Sequence, residues 1–106
     1  MTILNLTPHV INVHTPDGVV DIPTTGTVAR LASTPPEPCG EVAGIPVVRM
    51  RTGDPVDLPE PVEGAFLVVS TMVRAACPDR TDLLSPGPLV RDSEGRPVGC
   101  DGLVCN

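Results

Sequence analysis

The chain has 106 residues, a net charge of −6, 41% hydrophobic residues and a single aromatic residue, Phe66. All of its cationic side chains are arginines, and the absence of lysine excludes Schiff-base chemistry and a P-loop. An acidic chain without tryptophan or tyrosine also lacks the basic and aromatic surfaces of general nucleic-acid binding.

The size and hydropathy of the chain predict a single domain, residues 1–106. Its first residues lack the basic and apolar regions of a signal peptide, and no apolar run approaches the roughly 20 residues of a membrane span. We therefore expect a cytoplasmic protein without a membrane partner. A small aliphatic core without aromatic anchors gains from a partner surface, so we also expect a homo-oligomer.

The N-terminal segment predicts two strands with a break between them. The alternation of residues 2–6 changes parity in residues 10–13, which requires a bulge or a break, and Pro8 cannot donate to a strand ladder. His9 therefore lies where the backbone is irregular and a side chain can be re-aimed towards a ligand. The alternative is a structural histidine tied to the backbone.

The next segment predicts a hairpin and then a further strand. Thr15-Pro16-Asp17-Gly18 is a turn signal that folds residues 10–13 onto residues 19–22. Residues 27–32 predict a strand that contains Arg30. An arginine within a strand often lies over apolar neighbours and reaches into a cleft, so Arg30 is a candidate for binding an anion.

The middle of the chain is rich in proline. Residues 34–40 predict a polyproline-like surface loop, and residues 45–48 predict an edge strand because Pro46 interrupts them. Residues 53–64 predict an acidic, proline-spaced loop that lacks the glycine and aspartate pattern of a calcium site.

The strongest local signal follows this loop. The unbroken apolar run of residues 66–69 predicts a central strand that is covered on both faces. Ser70 then occupies an N-cap position, and residues 71–76 predict a short helix that ends before Pro78. Ser70 lacks the flanking glycines of a hydrolase nucleophile, but a capping serine can share a helix N-terminus with an anion.

A charged loop follows the predicted helix. Arg80 and Asp82 either pair with each other, or Arg80 binds a phosphate or carboxylate while Asp82 orients it. Residues 83–88 predict a loop, residues 89–99 a hairpin, and residues 103–105 a last short strand.

The histidines and cysteines do not predict a metal or cofactor site. His9 and His14 are five residues apart and would face opposite sides of one continuous strand. The cysteines contain no C-x-x-C pair, and we expect them to be reduced thiols. They are Cys39, Cys77, Cys100 and Cys105.

Several short motifs resemble a group of short uncharacterised proteins from bacteria and their phages. The resemblance covers most of the chain, and the N-L-T-P-H opening is its most specific part. It implies a small stand-alone cytoplasmic protein of phage or mobile-element origin, and it assigns no catalytic residue. The motifs are Asn5-Leu6-Thr7-Pro8-His9, Leu58-Pro59-Glu60-Pro61, Val68-Val69-Ser70, Arg80, Asp82, Val90-Arg91-Asp92, Gly95 and Gly99.

The predicted fold is mainly β, a small barrel or sandwich of short antiparallel strands with one short helix after the central strand. The first functional hypothesis is a non-enzymatic protein that binds a small anionic ligand, such as a nucleotide-like signal that a phage protein would sequester. One alternative is a structural or protein-interaction module, a virion component or an adaptor, that uses the acidic loop. Another is a small hydrolase with His9 as base and Asp82 as its orienter. The predicted ligand-binding residues are His9, Arg30, Ser70, Arg80 and Asp82.

Overall fold

The computed structural model describes residues 1–106 and is built mainly from strands, as the sequence predicts. One short helix, α1 (Thr71–Ala76), follows the eighth strand. The strands in chain order are β1 (Thr2–Asn5), β2 (Ile11–Thr15), β3 (Gly18–Ile22), β4 (Arg30–Ser33), β5 (Glu37–Val42), β6 (Ile45–Arg49), β7 (Thr52–Val56), β8 (Ala65–Val68), β9 (Leu83–Pro86), β10 (Leu89–Arg91), β11 (Pro97–Asp101) and β12 (Leu103–Cys105).

The strands form several small sheets. One four-stranded sheet has the order β1-β8-β9-β12, and a second has the order β10-β11-β2-β3. Strand β4 pairs with β7, and β5 pairs with β6, as separate two-stranded sheets. None of these sheets closes on itself, so the barrel form of the prediction is wrong and the architecture is compatible with a sandwich.

The prediction of antiparallel strands is wrong for three pairings. Strand β8 is parallel to both β1 and β9, and β11 is parallel to β2. Parallel neighbours cannot be joined by a tight turn, and α1 supplies the crossover from β8 to β9. The predicted loop at residues 83–88 therefore begins with a strand, in which Leu83 is fully buried.

Strand β8 is central, as predicted, and is covered on both faces. Leu67 and the following Val69 contribute to a core cluster under α1, whereas Val68 contributes to a second cluster on the opposite face. Side chains alternate across a strand, which explains why neighbouring residues enter different cores. The first cluster also contains Leu6, Ala29, Val73 and Leu83, and the second also contains Ile11, Val13, Ile22 and Cys100.

The predicted break between the first two strands is confirmed, and Asn5 holds it in place. Strand β1 ends at this buried asparagine, and β2 begins only at Ile11. The Asn5 amide donates to the carbonyls of His9, at 2.8 Å, and Ile22, at 3.0 Å. Its Oδ1 accepts from the Thr7 N–H at 2.9 Å and from the Thr7 hydroxyl at 2.6 Å. The side chain thus ties the turn to the end of the β2–β3 hairpin.

The predicted hairpins β2–β3 and β10–β11 and the last strand β12 are confirmed. Two loop predictions are partly wrong, because β5 occupies much of residues 34–40 and β7 occupies the start of residues 53–64. Strand β5 forms a hairpin with β6 through Ala43 and Gly44, whose φ angles of 52° and 77° suit a tight two-residue turn. No helix in the chain is both long enough and apolar enough to cross a membrane.

Candidate functional site

The main concave feature is a groove of about 560 Å³ between α1 and the β4–β7 sheet. Its volume falls within the roughly 300–1,000 Å³ that is typical of small-molecule sites. Apolar side chains make up much of its wall, with a few polar groups among them. The lining consists of residues 28–34 and 50–52 with Ser70, Met72 and Val73.

Local features of the sequence shape each of the two walls of the groove. A Cβ at Gly53 would lie 2.9 Å from Ala32 Cβ, so a glycine in β7 lets the two strands approach closely. On the other wall, the Ser70 hydroxyl accepts from the Val73 N–H at 3.3 Å and caps α1. The predicted N-cap and helix are therefore confirmed, and they position Met72 beside the groove.

Two arginines, Arg30 and Arg51, are among the residues that line the groove. Arg30 makes neither an ion pair nor a side-chain hydrogen bond within the chain, so its guanidinium donors are uncommitted. Arg51 lies 3.6 Å from the Glu37 carboxylate, but both side chains are more than half exposed. An exposed ion pair of this kind contributes little free energy and yields readily to another anion.

The groove brings together only some of the predicted binding residues. Arg30 and Ser70 lie in separate parts of the sequence, and the fold places both in the lining. Arg51 also lines the groove and was not predicted. The signal available in the sequence was the alternation of Arg49 and Arg51 after the strand that contains Pro46. His9, Arg80 and Asp82 are not part of the lining.

Arg80 and Asp82 form a bidentate ion pair of their own. Arg80 Nε donates to Oδ1 and Nη2 donates to Oδ2 of Asp82, both at 2.8 Å. Nη2 also donates to the carbonyl of Pro59 at 2.9 Å, which ties the acidic segment to the loop after α1. The hydrogen bond from Arg80 lowers the pKa of Asp82 and, in return, raises the pKa of Arg80. This geometry agrees with the local-pairing interpretation, and ligand binding by either residue stays a prediction.

His9 lies exposed in the turn after β1. Its carbonyl accepts a hydrogen bond from the Asn5 amide, but its ring makes none within the chain. It forms no hydrogen bond with Asp82, whose two carboxylate oxygens both accept from Arg80. The structure therefore does not assemble the base and orienter of the hydrolase hypothesis.

All four cysteines are free thiols in different surroundings. Cys100 is buried in the second core cluster, where it behaves as a small hydrophobic residue. Cys77 is half-buried, and Cys39 and Cys105 are exposed. The structure contains no group of three or more His, Cys, Asp or Glu residues that could share a metal ion.

Comparison with known proteins finds no match to this chain. No family model matches the chain. No curated protein and no solved structure matches it either.

Proposed function

We propose that the protein is a non-enzymatic binding protein that holds a small anionic ligand in the groove between α1 and the β4–β7 sheet. The observation that carries this proposal is a groove lining that contains apolar side chains, Arg30, which pairs with no carboxylate of the chain, and the loosely paired Arg51. Both arginines line one groove of a chain whose net charge is −6. An anion is the ligand that these two side chains complement best.

The composition of the groove narrows the ligand class. Arginine offers a planar fork of donors that matches the oxygens of a carboxylate or phosphate. Met50 and Met72 add apolar surface to the same lining, and methionine adapts easily to irregular ligands. The ligand that fits is therefore an amphipathic anion, in which a carboxylate or phosphate is attached to an apolar body.

A nucleotide is a narrower form of this proposal. Phe66, the single aromatic residue, does not line the groove, so a base would rest on methionine side chains rather than stack on a ring. Ser70 lines the groove on the helix side, and its hydroxyl already caps α1. Binding without turnover, as in sequestration of a phosphorylated signal, agrees with this arrangement.

Calorimetric titration with octyl phosphate tests the proposal. We expect saturable binding of octyl phosphate and no binding of octylamine, which has the same chain but a positive head group. Arg30→Ala and Arg51→Ala should each weaken binding about tenfold, equivalent to ~1.4 kcal/mol. AMP and cyclic AMP in the same titration test the nucleotide form.

Arg49→Ala is the matched control for these variants. Arg49 is an exposed arginine two positions before Arg51, and it does not line the groove. This variant should bind octyl phosphate as the original protein does. Equal weakening by all three substitutions would show only a general charge effect, and the absence of binding to every anion would contradict the proposal.

A second candidate function is a structural or protein-interaction module, such as a virion component or an adaptor. One observation favours it: every residue of the β5–β6 hairpin is exposed. This hairpin is a better contact surface than the acidic loop of residues 53–64, because part of that segment pairs with β4 and part receives a hydrogen bond from Arg80.

A further inference from the structure

The hairpin formed by β5 and β6, which we call the arm (residues 37–49), stands apart from both core clusters. All of its residues are exposed, and neither core cluster contains any of them. At ~3.3 Å per residue the strands span about 16–20 Å, so the tip projects well beyond the base of the hairpin. A two-stranded hairpin that packs against nothing is marginally stable in water. The arm therefore needs a surface that its own chain does not supply.

One face of the arm is apolar near the tip. The register pairs Val42 with Ile45 and Gly40 with Val47, so these side chains share a face. We call Val42, Ile45 and Val47 the apolar face, and their exposed fractions are 66%, 66% and 39%. The opposite face carries the charged Glu41 opposite Pro46 near the tip, and Val48 nearer the base.

The edges of the arm are poor sites for strand addition. Each strand contains an internal proline, Pro38 in β5 and Pro46 in β6. Proline has no N–H and is tolerated in strands where its nitrogen faces away from the partner, so each one removes an edge donor. A partner is therefore expected to cover the apolar face rather than extend the sheet.

The chain is more extended, and exposes more surface area, than a compact monomer of the same mass. The chain exposes 7206 Å², whereas a compact monomer of its 11.0 kDa mass exposes about 5,600 Å². Its Cα radius of gyration is 17.1 Å, compared with about 13 Å for a compact domain of this length. The excess is about 1,600 Å² per chain, which is the amount that one chain contributes to a sizeable obligate homodimer interface.

We propose that the apolar face of the arm packs against a second copy of this chain. The excess area suits a permanent interface between identical chains, and the small buried core, 13 of 106 residues, explains why such an interface is needed. This inference deepens the second candidate function by naming its partner, and it is independent of ligand binding in the groove.

Sedimentation velocity under reducing conditions tests the inference, since exposed Cys39 and Cys105 could otherwise form artificial cross-links. At micromolar concentration, sedimentation of the unsubstituted protein should give a mass of at least two chains of 11.0 kDa. Ile45→Glu and Val47→Glu should each reduce this to one chain. Because both side chains are exposed in the monomer, the circular dichroism of the variants should stay unchanged.

Val48→Glu is the matched control, because Val48 lies in the same strand with its side chain on the opposite face. This variant should stay oligomeric. A monomeric original protein overturns the inference, as do Ile45→Glu and Val47→Glu variants that stay oligomeric or a Val48→Glu variant that dissociates equally. Octyl phosphate titration of the same samples reports on the groove separately, so failure of one proposal is distinguishable from failure of the other.

Discussion

At the scale of single residues, the Arg80–Asp82 pair makes a specific contribution to stability. Its side chains are only 20% and 13% exposed, so the two hydrogen bonds between them are partly shielded from water. The lowered pKa of Asp82 means that the folded state favours the ionised carboxylate. The pair therefore stabilises the fold at neutral pH, and this contribution is lost as the pH falls through the folded-state pKa of Asp82.

Asp82→Asn should reveal the contribution of the Arg80–Asp82 pair as a pH-dependent loss of stability. At pH 7 we expect the free energy of unfolding to fall by about 2 kcal/mol, because Arg80 loses a charged acceptor. The difference from the unsubstituted protein should begin to shrink below about pH 4, where Asp82 of the unfolded chain becomes protonated, and should be lost once the pH falls below the folded-state pKa. Urea denaturation at several pH values measures both effects.

Asp79→Asn is the control for this experiment. Asp79 lies exposed in the same loop and makes no side-chain hydrogen bond or ion pair. Its substitution should change stability little at any pH. A loss for Asp82→Asn that is equal at pH 3 and pH 7 would argue against the ionised pair as its cause.

At the scale of elements, Asn5 explains the structure of the N-L-T-P-H opening. Its side chain is fully buried and joins the turn after β1 to the end of β3. A buried polar group of this kind replaces the ladder that the irregular segment cannot form. This part of the motif therefore has a structural role, whatever His9 does.

Asn5→Ala should destabilise the protein by about 3 kcal/mol, because it leaves the buried carbonyl of Ile22 and the carbonyl of His9 without this donor. Thermal or urea unfolding measures the loss. Asn12→Ala is the matched control, since the Asn12 amide donates to Asp21 on the exposed face of the β2–β3 hairpin. Its substitution should cost less than about 1 kcal/mol, and equal losses at both positions would contradict the assigned role of Asn5.

The sequence was informative about elements whose signals are local. The strand at residues 66–69, the Ser70 cap and the helix α1 follow from hydrophobicity, capping and the stop before Pro78. Strand β9 was missed because Pro86, Gly87 and Pro88 make its surroundings look like a loop. Its strand conformation depends on parallel pairing with β8 across a helix, which is a tertiary property.

The candidate site was less predictable for the same reason. Arg30 was recognised because it interrupts an apolar strand, but Arg51 lies outside the recognised strands. Strand β5 was hidden by Pro38 and Gly40, so the arm and the position of Arg51 at its base were not foreseen. Only the pairing of β4 with β7 beside α1 brings the two arginines into one groove.

At the scale of the whole molecule, the chain combines a thin core with two surfaces for which we propose partners. The apolar face of the arm suits a second copy, and the groove with its two arginines suits a small anion. The groove reaches the base of the arm, where Arg51 lies close to Glu37 of β5. An anion that displaces Glu37 from Arg51 would act at the point where the arm begins.

The methionine methyl groups offer the most direct measurement of ligand binding in the groove. The chain has three methionines; Met50 and Met72 line the groove, whereas Met1 is fully exposed outside it. In the NMR spectrum of methyl-labelled protein, octyl phosphate should shift the Met50 and Met72 signals saturably and leave the Met1 signal in place. Unchanged signals, or equal shifts of all three, would contradict binding in the groove.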